Sequence, residues 1–164
     1  MSATSSLSGP LIRRFWGWGH DHDQLSDGEQ QVVHALLAGL PGGVCPRMNE
    51  PQLSDFTLPP VRVTAPASLS AVLSCTPYDR LVHAYGKSFA DGMRMLMRHV
   101  PSAPDWVAFP RDEAELVQVM DWASEQRLAI VPFGGGTSVV GGVEPAVGAG
   151  YAGAVSVDME HFHR

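Results

Sequence analysis

The chain has 164 residues, of which 45% are hydrophobic and 17% charged, a balance that excludes intrinsic disorder and supplies a core without disulfide or metal support. Seventeen acidic against eleven basic residues leave a net charge of −6, and ten of the eleven bases are scattered arginines, which argues against a general nucleic-acid binder. No apolar run approaches the roughly 18 residues that a membrane span needs. Cys45 and Cys75 are too few and too isolated for a disulfide framework or a C-x-x-C site, so a reduced, cytoplasmic compartment is expected.

The first nine residues, MSATSSLSG, are small and polar and predict a frayed terminus. Arg13-Arg14 is followed by FWGWGHDHD rather than by the apolar stretch of an export signal. Trp16 and Trp18 are expected to pin this segment to the core. His20-Asp21-His22-Asp23 has the composition of a metal site, but four successive polar residues read as a solvated loop, and no metal is expected. Ser26-Asp27-Gly28-Glu29 has the form of a capping box, with Val33, Leu36, Leu37 and Leu40 following at helical spacing before Pro41-Gly42-Gly43. From Pro41 to Pro66 the chain is rich in Pro and Gly, with alternation only at Val61, Val63 and Ala65, and predicts an irregular wrap with one short extended piece.

Thr76-Pro77-Tyr78-Asp79 and Ser88-Phe89-Ala90-Asp91 each place a hydroxyl before a carboxylate three residues on, predicting two capped helices separated by Gly86. Met93, Leu96 and Met97 form the expected apolar stripe of the second. After Pro104 the pattern becomes strand (106–109), a helix capped by Asp112 and Glu115 with Leu116, Val119, Met120 and Ala123 on one face, and strand (128–133), a βαβ unit. Ala154 to Met159 reads as the next strand.

Between those last strands lies Gly134-Gly135-Gly136-Thr137-Ser138-Val139-Val140-Gly141-Gly142. A bend without Cβ atoms directly after a strand can present several backbone N–H groups to one anion, with the Thr137 and Ser138 hydroxyls as further donors. Four or five charge-assisted hydrogen bonds, each contributing about 1.5–3 kcal/mol, suffice to hold a pyrophosphate in a protein of negative net charge. The loop lacks the Gly-Lys-Ser/Thr ending of a P-loop, and the only lysine, Lys87, is far away in sequence. It also lacks the third glycine of the Rossmann fingerprint and the closing glycine of a nucleophile elbow. A simple turn remains the alternative reading of the loop itself.

Pro104-Asp105-Trp106-Val107-Ala108-Phe109-Pro110, the capped helix, Leu128-Ala129-Ile130-Val131-Pro132-Phe133 and the glycine loop together resemble the opening of the FAD-binding domain of the vanillyl-alcohol oxidase and p-cresol methylhydroxylase (PCMH) family. Within that family, the W-G-W-G segment and Asp79 to Asp91 look like the leader of the alkyldihydroxyacetonephosphate synthases. The resemblance implies an α+β fold: a helical N-terminal leader over 1–100, then over 101–164 the first half of a PCMH-type domain, βαβ plus glycine loop. It implies FAD as cofactor, with Pro132, Phe133, Gly134, Gly135, Gly136, Thr137 and Ser138 as binding residues. Relatives that attach the flavin covalently place His where Thr137 stands, so non-covalent FAD is expected; Phe133 replaces an Arg frequent in the family.

The implied activity is acyl-to-alkyl exchange on a dihydroxyacetone phosphate ester in ether-lipid synthesis, with a small-molecule or lipid substrate bound only by the complete enzyme, for which the resemblance allows a homodimer. A fragment of an FAD-linked D-2-hydroxy-acid (lactate or glycolate) dehydrogenase, or a non-catalytic stub without cofactor, is the alternative. The chain reads as an N-terminal fragment with no catalytic residue of its own and no turnover alone. Capping accounts for Ser88 and Asp91, His83 reads as a buried imidazole, and Arg80, His161 and His163 carry no assigned role.

Overall fold

The computed structural model describes residues 12–42 and 48–162. The expected frayed terminus, Cys45 and His163 lie outside the described residues, and Cys75 is an exposed free thiol. The described residues form two compact units, 12–14 with 18–42 and 48–49, and 15–17 with 50–162.

The first unit contains α1 (Asp27–Ala38). Ser26 is its N-cap: the Ser26 hydroxyl oxygen accepts the Glu29 N–H, and the Glu29 carboxylate accepts the Ser26 N–H at 2.8 Å, so the expected capping box is present. Its apolar residues Val33, Leu36 and Leu37, and Leu40 just beyond it, all remain exposed. Trp18 is 59% exposed, so the expectation that it pins the segment is corrected. Trp16, in contrast, packs with Phe15, Phe56 and Leu58 against the cluster of Leu81, Tyr85 and Met95 in the second unit.

In that second unit, β1 (Leu73–Ser74), β2 (Trp106–Ala108), β3 (Leu128–Phe133) and β4 (Gly153–Asp158) make one sheet of order β1-β2-β4-β3. β1 is antiparallel to β2, and the other three strands are parallel. β4 therefore lies between the two strands of the expected βαβ unit, with Phe133 opposite Asp158 and Ala108 opposite Val157. All six β4 residues are buried, as a central strand covered on both faces requires.

One face of the sheet, with Ala108, Leu128, Val155 and Val157, packs on Val119, Trp122 and Ala123 of α4 (Glu113–Glu125). The expected stripe differs in one member: Trp122 is buried and Met120 is exposed, because 119, 122 and 123 satisfy helical spacing as well as 119, 120 and 123 do and the indole covers more of the sheet. On the opposite face, Val131 and Phe133 pack with Val143 and with Val82 of α2 (Pro77–Val82). Thr76 caps α2, and Ser88 with Asp91 forms a capping box on α3 (Phe89–Leu96). The expected Met93–Met97 stripe is corrected too: Asp91 and Met95 face inward and Met97 is 66% exposed, since the Asp91 carboxylate that closes the cap carries its own helix face into the core.

The irregular 51–66 segment wraps this unit as expected, with Val63 and Ala65 against the core. It is fastened by Asp105, which is 1% exposed. The Asp105 carboxylate accepts from the Arg62 backbone N–H (2.8 Å), from Arg62 Nε (3.0 Å) and Nη2 (2.7 Å), and from the Ala154 N–H (2.8 Å). Burial alone would raise its pKa, but the Arg62 guanidinium and the two amide donors outweigh it and hold the carboxyl below its ordinary value of 3.8. Gly153 permits the close approach: a Cβ there would stand within 3.0 Å of the Asp105 carboxylate.

Candidate cofactor site

The parallel strands β2, β4 and β3 end together, at Ala108, Asp158 and Phe133. Open α/β sheets place ligands beyond the carboxyl ends of such strands. The glycine loop leaves the sheet at that end. Pro132, which lacks an N–H, is tolerated because β3 is an edge strand. The Phe133 carbonyl accepts the Met159 N–H at 2.9 Å, carrying the β3–β4 pairing up to the first glycine.

Phe133 turns inward. Its ring lies 4.1 Å from the His83 ring, centroid to centroid, and packs with Val82, Val131 and Val143. Core packing thus explains the aromatic residue before the glycines. The same ring fills the space beside Gly136, where a Cβ would fall inside 3.0 Å of Phe133, and Gly136 has φ +66°. Both space and backbone conformation require glycine there.

Gly134, Gly135 and Thr137 are exposed. The N–H groups of residues 134–138 donate to no protein acceptor among the described residues. Consecutive amides free at a glycine bend form a concavity suited to an anion. Ser138 stabilises the far side: its hydroxyl oxygen accepts the Gly142 N–H at 3.0 Å and the Val140 N–H at 3.4 Å, which leaves its own hydrogen available for an outside acceptor.

The fold brings a distant segment onto the loop. The Lys87 backbone N–H donates to the Ser138 carbonyl at 2.7 Å, and a Cβ on Gly86 would stand inside 3.0 Å of that same oxygen. The lysine that is remote in sequence is therefore adjacent in space. Sequence reasoning missed Gly86 and Lys87 as supports of the loop; the only local signal was a glycine between two capped helices.

His83 sits beneath. It is buried, with Nδ1 at 2.7 Å from the Asp79 carbonyl and Nε2 at 3.0 Å from the carboxylate of Asp158, which is also buried. Both ring nitrogens thus lie at hydrogen-bond distance from oxygens, which fixes the orientation of the ring. Asp158 also accepts the Glu160 N–H at 2.8 Å, fixing the chain as it leaves β4. Arg80 holds the Pro104 carbonyl at 2.7 Å and the Pro59 carbonyl at 2.8 Å, a structural assignment. At the same end of the sheet, Ala71, Asp79, Phe109, Arg111 and His161 line an open cleft of about 710 Å³, and the glycine loop is not part of its wall.

The loop thus offers amides in series and two hydroxyl groups, with Gly134 and Gly135 open to solvent. Residues 104–164 match a family model described as an FAD binding domain. The chain is similar to alkyldihydroxyacetonephosphate synthases of Trypanosoma brucei brucei (37% identity over 87 residues, 53% of this chain and 14% of the relative) and Dictyostelium discoideum (32% over 85 residues, 52% and 14%). It is also similar to the mitochondrial D-lactate dehydrogenase [cytochrome] of Arabidopsis thaliana, at 32% over 77 residues, 46% of this chain and 14% of the relative.

A solved structure of alkyldihydroxyacetonephosphate synthase superposes with a TM-score of 0.74 at 21% identity, covering 93% of this chain and 33% of that one, a likeness that speaks for the fold alone. The chain thus spans about one-seventh of the length of these curated relatives. The mixed α/β sheet with its glycine loop is a partial FAD-binding fold of this type, and FAD is its cofactor. Over residues 104–164, the chain is similar to the FAD binding domain family.

Proposed function

We propose that this chain contributes the diphosphate-holding part of an alkyldihydroxyacetonephosphate synthase-like flavoenzyme, one that exchanges an acyl for an alkyl group on a dihydroxyacetone phosphate ester. The observation that carries the proposal is the row of N–H groups at 134–138 without a protein acceptor, standing where parallel strands end. The N–H groups of Gly134, Gly135, Gly136, Thr137 and Ser138 bind the two phosphoryl groups, the Thr137 and Ser138 hydroxyls add donors, and Pro132 and Phe133 set the direction in which the loop leaves the strand. FAD supplies the ring system at which the exchange takes place; these residues bind and orient its diphosphate and take no part in bond making. Attachment is non-covalent, since Thr137 offers no imidazole nucleophile. Two synthase relatives, those of Trypanosoma brucei brucei and Dictyostelium discoideum, match over a longer stretch than the D-lactate dehydrogenase does, which favours the exchange reaction over hydroxy-acid oxidation.

Titrating the purified chain with FAD while following flavin fluorescence and thermal unfolding tests this. One equivalent is expected to bind, to raise stability by about 2.7 kcal/mol at a hundredfold excess over Kd, and to be released intact on denaturation. Absence of both binding and thermal shift would instead support a stub without cofactor. In a protein that carries the whole of the synthase fold, exchange of acyl-dihydroxyacetone phosphate with a long-chain alcohol, rather than oxidation of D-lactate, is the expected turnover.

A further inference from the structure

The polar run His20-Asp21-His22-Asp23 forms an ordered turn rather than a loose one. Arg13 and His20 pair as an antiparallel bridge, the Arg14 N–H donates to the Gly19 carbonyl at 3.0 Å, and the Asp21 N–H to the Ile12 carbonyl at 3.0 Å. The Asp23 N–H donates to the His20 carbonyl at 2.9 Å, and the Arg14 guanidinium holds the Asp23 carbonyl at 2.9 Å. The His20 N–H in turn donates to the Asp23 carboxylate at 2.6 Å, which orients that carboxylate towards both imidazoles. Gly19 makes room for it, with φ +75° and a Cβ position that would fall inside 3.0 Å of Asp23 Oδ2.

His20, His22 and Asp23 each bring a ligand atom within 4.8 Å of the other two. The His20 and His22 rings lie nearly parallel, 5.7 Å apart. His20 Nδ1 is 3.5 Å from Asp23 Oδ2, and His22 Nε2 is 3.4 Å from Asp23 Oδ1. Those separations are long for hydrogen bonds. They run to different oxygens of the one carboxylate, and each is close to the ligand–ligand edge of a tetrahedral zinc site, about 3.4 Å for metal–ligand bonds of about 2.0–2.2 Å.

From this geometry we propose that the 20–23 turn is a divalent transition-metal site, with one imidazole nitrogen each from His20 and His22 and the Asp23 carboxylate as ligands and water at the fourth position. Two imidazoles and one carboxylate select ions of the zinc and cobalt kind over magnesium or calcium, which prefer sets made of oxygen alone. The bound ion closes the 12–23 turn on itself, joining three side chains whose backbone is already tied together.

The test uses the whole chain, stripped with chelator and titrated with ZnCl2 and separately with CoCl2. One zinc equivalent is expected to bind, and cobalt is expected to show a four-coordinate visible spectrum without thiolate charge-transfer bands, which separates this turn from a site at Cys75. His22→Ala and His20→Ala, both at exposed or half-exposed positions, are each expected to weaken zinc binding by at least about tenfold, with circular dichroism unchanged, whereas His34→Ala leaves it as it is. Failure to bind, magnesium binding as tightly as zinc, a thiolate band, or zinc affinity in the His22→Ala or His20→Ala variant equal to that of the wild type would each overturn the assignment.

Discussion

Asp105→Ala is expected to destabilise the second unit by about 3 kcal/mol, near the lower end of the roughly 3–5 kcal/mol typical when one partner of a buried ion pair is removed. The lower end applies because the Arg62 side chain is 47% exposed and can rehydrate once released. What remains is a cavity beside Gly153 and an Ala154 N–H deprived of its carboxylate partner. Against a total stability of about 5–15 kcal/mol, that is enough to shift a denaturant midpoint clearly, and chemical denaturation at neutral pH measures it.

The pH dependence follows from the same contacts. A carboxyl held below its ordinary value in the folded state favours folding above pH 3.8, and this contribution is lost as pH falls through the lower folded value. The wild-type chain should therefore lose stability steeply on acidification below about pH 4, and Asp105→Asn should show a shallower acid limb from a lower starting point. Identical slopes in the two proteins would assign the acid transition to other carboxylates.

Gly86→Ala should act on the cofactor site without touching it. The new methyl group meets the Ser138 carbonyl, a backbone atom that cannot swing aside as a flexible side chain would, so either the α2–α3 connection or the glycine loop has to move. Overpacking of this kind costs about 1–3 kcal/mol. Taken up by the loop, that corresponds to an FAD affinity about 5- to 150-fold weaker. Because Lys87 donates to the same oxygen, its hydrogen bond to Ser138 should weaken as well. Isothermal titration with FAD, alongside a denaturation curve to separate loop displacement from unfolding, gives the answer.

Much of the second unit was legible locally. β3 was readable because its apolar run is bounded by Arg127 and by three glycines, and the caps on α1, α2, α3 and α4 because hydroxyl or carboxylate side chains sit at the required offsets. Helix faces were less so: Met120 and Trp122 both fit a helical stripe, and the choice between them is made by the shape of the sheet. Strand order was hidden altogether, since nothing in β4 says that it inserts between β2 and β3. For the site, the glycine bend and its hydroxyls were visible as residue types, whereas the contact of Gly86 and Lys87 with Ser138 joins segments that share no local pattern. The His20–Asp23 turn shows the same limit, because its composition suggested solvent and only the backbone ties reveal that its side chains converge.

Backbone amide resonances recorded before and after addition of FAD interrogate the loop most directly. Saturable shifts at Gly134, Gly135, Gly136, Thr137 and Ser138, following the same binding curve as flavin fluorescence, are the result that a diphosphate held by those N–H groups predicts. FAD binding that leaves the five amides where they were, or no binding at all, would contradict it.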